Sequence, residues 1–289
     1  MSHIVKLPCE LQVSHGECYV ANLDYLELFS ALPDESIDAI YTDPPFNTGM
    51  VKRDPRDSTV YYEDERTRKM WLNDFLVLFA INAQRVLKPH GSLYLHIDWR
   101  MVHDAKANVM DDIFGRENFL GEIIWAYDWG ARQKDRFSRK HDNILHYAKE
   151  VGKHRFDPER VDRVPYKAPE LQMYRAKRLG KNDGAARIEA GKPVTDVFSD
   201  INVLGTSSHE RALNSYPTMK PTKLVKRLLA PVTIPGSVVL DPFCGSGVTV
   251  EAASELDCSF VVGDANPTAT IVTARRAERL GAKFIVVEC

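Results

Sequence analysis

The sequence has few of the features that mark secreted, metal-bound or membrane proteins. Its five cysteines are scattered and never spaced as C-x-x-C: Cys9, Cys18, Cys244, Cys258 and Cys289. That pattern argues against a disulfide framework and against a structural zinc site. No run of about 18 apolar residues is present, so no membrane-spanning helix is predicted. The opening residues, MSHIVKLPCE, lack a basic segment followed by an apolar run, so we expect no secretory signal and a cytoplasmic protein.

Net charge is also small, but the charge is unevenly distributed. The formal charge of -2 gives no overall sign of a nucleic-acid partner. Residues 131–192 nevertheless carry 17 Lys and Arg against 9 Asp and Glu, which leaves 21 against 31 in the rest of the chain. One middle segment is therefore basic, and the remainder is acidic.

Apolar runs that end in polar, Gly or Pro residues alternate with helical patterns along the chain. This alternation is typical of βαβ units and predicts an α/β fold with a mostly parallel, twisted sheet. The clearest strands are predicted over residues 37–42, 92–97, 237–240 and 259–262. This alternation of strand and helix patterns is lost in residues 151–215, a stretch rich in Lys, Arg, Gly and Pro. We therefore predict one domain from residues 1–150 and 216–289, with residues 151–215 as an insertion.

Glycines follow an apolar strand in the stretch VVLDPFCGSGVTV, residues 238–250. Glycines between a strand and a helix let the backbone approach a ligand and present the N–H groups of the helix start. About twenty residues later, FVVGDANP ends a strand with Asp264, where nucleotide-binding α/β folds place a ribose-binding acid. A tight turn and a helix-capping Asp264 are the structural alternatives. The candidate nucleotide-binding residues are Gly245, Gly247 and Asp264.

A different strand ends in an acid, two prolines and an aromatic residue, in IYTDPPFNTG, residues 40–49. Because proline has no N–H and a fixed φ, Asp43-Pro44-Pro45 predicts a rigid strand exit with free acceptors. The Asp43 carboxylate and the Pro44 carbonyl would be paired acceptors, with Phe46 as a stacking face. Two acceptors and a π-face suit a planar heterocycle that bears an exocyclic amino group. An ordinary Asp-Pro turn is the alternative.

Four stretches, together and in this order, resemble the β-class of amino-directed DNA methyltransferases: TDPPFNTG, RVLKPHGSLYLHID, SYPTMKPTKLVKRLL and LDPFCGSGVT. The resemblance covers nearly the whole chain outside the basic insertion. It implies a Rossmann-like methyltransferase fold with a circularly permuted motif order, since the catalytic motif precedes the cofactor motif. It also implies S-adenosylmethionine as the cofactor, double-stranded DNA as the substrate, and target recognition by residues 151–215.

The same resemblance implies roles for individual residues. Asp43 and the Pro44 carbonyl would bind the exocyclic amine of a flipped-out base, and Phe46, at a position where Tyr is common, would stack on that base. Lys220 would pair with the cofactor carboxylate. Asn22 stands where many relatives have Asp and is a candidate contact to the cofactor adenine. The catalytic set is Asp43, Pro44, Pro45 and Phe46, and the cofactor set is Asn22, Thr218, Lys220, Pro221, Asp241, Phe243, Gly245, Gly247 and Asp264.

DNA contacts are predicted to begin near residue 129, in the stretch WGARQKDRFSRKHD. There Trp129 and Phe137 are interleaved with cations, which is typical of a surface that contacts DNA backbone and grooves. A solvated charged loop is the alternative. The histidines show no metal-ligand grouping, so no metal site is predicted. The predicted DNA-binding residues are Arg132, Lys134, Arg136, Arg139 and Lys140.

The N6 amino group of adenine in duplex DNA is the predicted methyl acceptor, reached by base flipping. The Asp43 form of the motif favours adenine, whereas Ser-Pro-Pro would favour cytosine. N4-cytosine methylation uses the same geometry and is the nearest alternative. RNA or protein-glutamine methylation uses related motifs that usually begin with Asn, and a non-catalytic DNA-binding regulator would be expected to lose Asp43 or the glycine turn. The resemblance also predicts a homodimer and leaves open a cognate restriction endonuclease.

Overall fold

The fold is known from a computed structural model, which describes residues 4–6, 10–45, 51–53, 60–63, 68–130, 132–181, 183–205, 208–213, 216 and 219–288. Two residues of the predicted site, Phe46 and Thr218, lie outside the described residues. The strands are β1 (Ile4–Lys6), β2 (Tyr19–Asn22), β3 (Ile37–Thr42), β4 (Val51–Arg53), β5 (Val60–Glu63), β6 (Leu87–Ile97), β7 (Phe119–Ala126), β8 (His141–Ala148), β9 (Arg163–Val164), β10 (Lys192–Pro193), β11 (Val197–Phe198), β12 (Val238–Asp241), β13 (Ser259–Gly263) and β14 (Ile285–Glu288).

Ten of these strands form one sheet in the order β1-β14-β2-β13-β12-β3-β6-β8-β7-β11. Every neighbouring pair is parallel except β6 with β8 and β7 with β8, which are antiparallel. The α/β fold with a mostly parallel sheet is therefore confirmed. Strands β4 with β5 and β9 with β10 form two small separate sheets.

Helices cover both faces of the sheet. They are α1 (Tyr25–Ser30), α2 (Arg68–Met70), α3 (Val77–Val86), α4 (Val102–Ala105), α5 (Asp111–Phe114), α6 (Pro169–Arg178), α7 (Gly184–Ala190), α8 (His209–Leu213), α9 (Thr222–Leu229), α10 (Val248–Ser254) and α11 (Pro267–Arg279). A wider, π-helical turn, Trp71–Leu76, joins α2 to α3, and another, Lys106–Met110, joins α4 to α5.

Strand β6 shows how the sheet divides the core into two layers. Leu93 and Leu95 point to a core layer shared with α1, α3 and α4, whereas Tyr94 between them packs in a layer shared with α9, α10 and α11. Both faces of this central strand are thus covered by helices, and a strand that is buried on both faces reads as a continuous apolar run. Among the described residues, no helix is long and apolar enough to cross a membrane.

The basic middle segment is tied to the main sheet at its later end. Strand β11 pairs in parallel with β7, and the Trp125 indole donates a hydrogen bond to the Ile201 carbonyl at 2.8 Å. The buried guanidinium of Arg227 on α9 is held by Asp162 and Asp200 at 2.8 and 2.6 Å. These contacts fix the base of the segment against the α/β domain, while the division into a catalytic domain and a target-recognition insertion stays a prediction.

Candidate active site

Three carboxylates lie where three neighbouring parallel strands end. Asp43 directly follows β3, Asp241 ends β12, and Asp264 directly follows β13. Because β3, β12 and β13 are adjacent and parallel, their carboxyl ends meet at one edge of the sheet. Ligands of open α/β sheets bind outside that edge. The two motifs, about 200 residues apart in the chain, therefore meet in one site.

One carboxylate oxygen of Asp43 accepts a hydrogen bond from a described residue, and the other does not. Its Oδ2 accepts a hydrogen bond from Lys220 Nζ at 2.5 Å, and the Lys220 side chain is only 10% exposed. Its Oδ1 is buried and has no hydrogen-bond partner in the described part of the chain. A buried acceptor without a partner carries a desolvation cost that a donor from a ligand would remove. Oδ1 is thus an acceptor placed for an incoming N–H group.

The rigid exit after Asp43 is fixed by an aromatic side chain. The Trp71 indole Nε1 donates to the Pro45 carbonyl at 2.6 Å, and Trp71 itself is fully buried. The Trp71 ring lies 5.5 Å from Phe75, which lies 5.5 Å from Phe243 of the glycine turn. One row of packed rings therefore connects the two predicted motifs. Sequence reasoning missed the Trp71 contact, although a buried indole N–H needs an acceptor and signals one.

The glycine turn has the conformation that only glycine adopts at low cost. Gly245 and Gly247 have φ values of +44° and +75°, in the left-handed region. A Cβ atom at Gly247 would lie 3.0 Å from the Thr273 Cα, which leaves no room for a side chain. Gly247 is also the N-cap of α10, so the turn presents its backbone beside a helix start.

Asp264 organises this turn instead of capping a helix. Its Oδ2 accepts from Gly245 N at 3.1 Å and its Oδ1 from Asn266 N at 2.9 Å. The N-cap of α11 is Asn266, whose side chain accepts from Thr268 N, so the capping alternative for Asp264 is wrong. Burial raises the pKa of Asp264 to about 6, although both backbone donors lower it.

Asp241 lies deeper, under the glycine turn. It accepts hydrogen bonds from Phe243 N and from the Thr249 hydroxyl, and is almost completely buried. Burial, together with the nearby charges of Asp43 and Asp264, raises its pKa to about 7, although the hydrogen bonds from Thr249 and Phe243 lower it. Asp241 thus stabilises the conformation of the turn through these two hydrogen bonds.

Asn22 and Pro221 border the same edge. The Asn22 side-chain amide donates to the Asp264 carbonyl at 3.0 Å, and so links the end of β2 to the segment after β13. Pro221 precedes α9 and places Lys220 at the helix start, next to Asp43. The structure thus brings the described members of both predicted sets together. The pairing of Lys220 with Asp43 was not expected from the sequence.

A buried polar network adjoins the Asp43 site and was also missed. Tyr41 Oη lies 3.1 Å from His96 Nδ1, and His96 Nε2 lies 3.1 Å from Asp142 Oδ2. The Tyr127 hydroxyl donates to Asp142 Oδ1 at 3.2 Å. Burial would raise the pKa of Asp142, but His96 and the charge of Lys220 hold it at about 2. The network stiffens the end of β3 from the side of β6 and β8.

The predicted DNA-binding residues lie in the connection between β7 and β8. Three of the five have partners: Arg136 pairs with Asp135, Lys140 with Asp128 at 2.8 Å, and the Arg139 guanidinium lies 3.7 Å from the Trp99 ring centre. Arg132 and Lys134 have no ion-pair partner in the described residues. No cluster of His, Cys, Asp or Glu able to hold a metal occurs among the residues that the structure describes.

The residues at this edge fit a nucleoside with a charged amino-acid tail. A turn with two glycines, a carboxylate at the end of the neighbouring strand, and a buried lysine are complementary to a nucleoside, its ribose hydroxyls and a carboxylate. The buried, unpartnered Asp43 Oδ1 lies beside them. An α/β fold with this edge defines a class of nucleotide-binding proteins that have a second polar subsite beside the nucleotide site.

Comparison with known proteins identifies the family within that class. The model of the N6/N4 DNA methylase family matches residues 37–288, so the chain belongs to the DNA methylase family. The Type II methyltransferase M.BglII of Bacillus subtilis is 29% identical over 248 residues, which cover 83% of this chain and 63% of that protein. The chain thus spans less than two thirds of the length of this relative. Family membership confirms the recognition made from the four motifs and S-adenosylmethionine as the family's cofactor.

Two solved structures are similar in fold. The PvuII DNA methyltransferase (cytosine-N4-specific) has a TM-score of 0.64 and 16% identity, covering 96% of this chain and 98% of that one. The putative DNA modification methylase TTHA0409 of Thermus thermophilus, complexed with S-adenosyl-L-methionine, has a TM-score of 0.59 and 18% identity, covering 94% of this chain and 98% of that one. The predicted Rossmann-like fold is thereby confirmed.

Proposed function

We propose that this chain is a site-specific DNA methyltransferase that transfers a methyl group from S-adenosylmethionine to the N6 amino group of adenine in duplex DNA. The observation that carries the proposal is the buried Asp43 Oδ1, an acceptor without a described partner, beside the glycine turn of a nucleotide site. An acceptor in that place suits an amino group next to a bound methyl donor.

Asp43 and Pro44 would act on the target amine. The lone pair of an exocyclic amine is normally delocalised into the ring, which makes the nitrogen a weak nucleophile. Asp43 Oδ1 and the Pro44 carbonyl would each accept one N–H, favour a more tetrahedral nitrogen, and stabilise the positive charge that develops on it. Lys220 holds the other oxygen of Asp43 and so fixes the direction of Oδ1. No covalent link between enzyme and base is needed.

The remaining edge of the sheet would bind the cofactor, which supplies an electrophilic methyl group on a sulfonium. Asp264 would accept the ribose hydroxyls, and Gly245 and Gly247 would let the backbone approach the nucleoside. Phe243 and Asp241 would hold the turn in shape. Lys220, between Asp43 and the start of α9, would also attract the cofactor carboxylate.

The DNA would lie across the same edge. A base inside the duplex stack is out of reach, so the target would be flipped at a cost of a few kcal/mol. Stacking on Phe46 would offset about 1–3 kcal/mol of that cost. Arg132 and Lys134, in the connection between β7 and β8, would contact phosphates. The segment 151–215, which holds the exposed helices α6 and α7, would read the sequence.

N4-cytosine methylation is the second candidate, because the family includes both amino groups and the PvuII enzyme of similar fold is cytosine-N4-specific. The Asp-Pro-Pro form of the motif supports adenine. A homodimer and a restriction endonuclease of matching specificity stay predictions. Light scattering of the purified protein checks the first.

Mass spectrometry of nucleosides tests the proposal. Unmethylated duplex DNA incubated with protein and S-adenosylmethionine should yield N6-methyldeoxyadenosine, and N4-methyldeoxycytidine would change the base but keep the chemistry. The variant Asp43→Asn should lose at least about 100-fold in rate while still binding the cofactor, because the carboxylate acceptor is lost. Asp112→Asn, an exposed carboxylate change outside the site, is the matched control. The proposal would be refuted if an intact, cofactor-binding protein formed neither of the two methylated nucleosides.

A further inference from the structure

One aromatic side chain in the connection between β7 and β8 has almost no protein contacts. Phe137 is 99% exposed, the highest value among the exposed large hydrophobic residues of the described chain. Exposed apolar surface is unfavourable in water, so a fully exposed phenyl ring in an ordered turn suggests a partner. The predicted DNA surface includes this residue but gives it no separate task.

The turn around Phe137 is held in shape. Gln133 N donates to the Ser138 hydroxyl at 2.9 Å and closes the turn across its base. Arg139, two residues after Phe137, lies with its guanidinium 3.7 Å from the Trp99 ring centre, which ties the turn to the segment after β6. The ring is thus presented by a closed turn and not by an extended chain.

The turn lies at the same edge of the sheet as Asp43. Strand β6 is parallel to β3, and β8 is antiparallel to β6, with Ile97 paired to Asn143. The amino end of β8 therefore lies beside the carboxyl end of β6, at the edge where β3 ends in Asp43. The connection between β7 and β8 extends from that edge, on the side where the DNA would lie.

The charge around Phe137 favours a polyanion over a second copy of this chain. Residues 129–140 carry five Lys and Arg and one Asp, in a chain whose formal charge is -2. Proteins that insert an apolar wedge between base steps also use Arg and Lys in the groove. Phe137 is an apolar side chain of this kind, in a connection that also carries Arg132 and Lys134, which have no ion-pair partner in the described residues.

We propose that Phe137 inserts into the DNA base stack at the position that the target base leaves, and so stabilises the flipped state. The inference rests on the proposed function. An empty position in the stack exposes the faces of the neighbouring base pairs, and an aromatic ring covers them. Phe137 is then a residue of base flipping, separate from Phe46, which would stack on the flipped base.

The test compares single-turnover methylation rates on two duplexes that contain the mapped target site. One duplex is fully paired, and in the other the target base is mismatched, so that flipping costs less. Phe137→Ala should be about 10- to 100-fold slower than wild type on the paired duplex and within about threefold of it on the mismatched one. Phe137→Trp should restore most of the rate, since it keeps a stacking face. Phe156→Ala is the control, because Phe156 is 49% exposed and follows the other end of β8.

Several outcomes would overturn the inference. Equal rates for Phe137→Ala and wild type on both duplexes would exclude a role in flipping. An equal loss on both would assign Phe137 to general DNA docking, and a changed molecular mass in light scattering would assign it to a protein interface. Turnover by the wild type tests the proposed function separately. An inactive wild type would contradict the proposed function, whereas an active wild type with an unchanged Phe137→Ala rate would contradict only the role of Phe137.

Discussion

Cofactor affinity should depend on pH through Asp264. Burial raises the pKa of this carboxyl to about 6, and ribose hydroxyls would donate hydrogen bonds to its ionised form. Binding of the cofactor should therefore lower the pKa of Asp264 and release the proton from its carboxyl group. Because the ionised form binds, affinity should fall as the pH drops through 6 and stay level well above it.

The size of the effect follows from the same pKa. At pH 5 about one Asp264 carboxyl in eleven is ionised, and at pH 7 about ten in eleven. If the bound carboxyl has a pKa below 5, the dissociation constant for the cofactor should be about tenfold higher at pH 5 than at pH 7. Tenfold corresponds to about 1.4 kcal/mol, which calorimetry resolves easily.

Isothermal titration calorimetry with S-adenosylhomocysteine at pH 5, 6 and 7 measures this dependence without turnover. In buffers of different ionisation enthalpy, about one proton should be released per site at pH 5. Asp264→Asn should bind at least about tenfold more weakly at pH 7, because a hydrogen bond to a charged acceptor is lost. That variant should also lose the pH dependence, although Asp241 with its pKa of about 7 is still present.

Asp112→Asn, a change at an exposed position, controls for the loss of one negative charge. It should reproduce the wild-type pH profile. A flat profile in the wild type, or an unchanged slope in Asp264→Asn, would refute the assignment of Asp264 as the ribose acceptor.

Three other predictions concern residues that hold the site or the sheet. Lys220→Met should weaken cofactor binding at least about tenfold in calorimetry, because the cation that would attract the cofactor carboxylate is lost. It should also lower the methylation rate, because it leaves the Asp43 charge unpaired. Lys220→Arg should bind the cofactor better than Lys220→Met, and full activity in Lys220→Met would contradict the prediction. Trp71→Phe removes the donor to the Pro45 carbonyl and should cost about 1 kcal/mol in thermal unfolding with a slower rate; unchanged stability and rate would argue against the anchor. Asp38→Asn should cost about 3 kcal/mol in denaturant unfolding, since Asp38 is buried among Lys88 and His90 at 2.7 Å. Lys88 and His90 hold the Asp38 pKa below 3.8 despite burial, so its stabilising contribution is present above that pH and lost below it, and Asp38→Asn should lose this acid dependence.

The strands that carry the site could be predicted closely from the sequence. Residues 37–42 were predicted as a strand and form β3, Ile37–Thr42, and residues 259–262 lie within β13, Ser259–Gly263. These strands are buried on both faces, so their apolar runs are continuous and end at an acid. Parallel pairing then brings Asp43, Asp241 and Asp264 to one edge of the sheet. The positions of the motifs in the sequence and the fold class are enough to predict this arrangement.

Contacts between side chains that are distant in the chain could not be predicted in this way. Lys220 and Asp43 are 177 positions apart, and nothing local to either residue specifies the pair. The same holds for His96 with Asp142, because the antiparallel β8 has no sequence signal that distinguishes its direction. Strand β11 has only two residues and joins the sheet through β7, so its short apolar pattern gave no indication of it.

The order of strands in the sheet has a consequence for synthesis of the protein. Strands β2 and β3 are separated by only 14 residues of chain, yet β13 and β12 lie between them in the sheet. On the ribosome, β2 and one edge of β3 would remain unpaired until partners made more than 190 residues later emerge, while the other edge of β3 can pair with β6. Asp43 cannot gain its Lys220 partner, nor β3 its β12 neighbour, until those later segments have emerged, so the proposed methyl transfer would need both. The site edge would thus be assembled only after β13, which precedes Asp264, has left the ribosome.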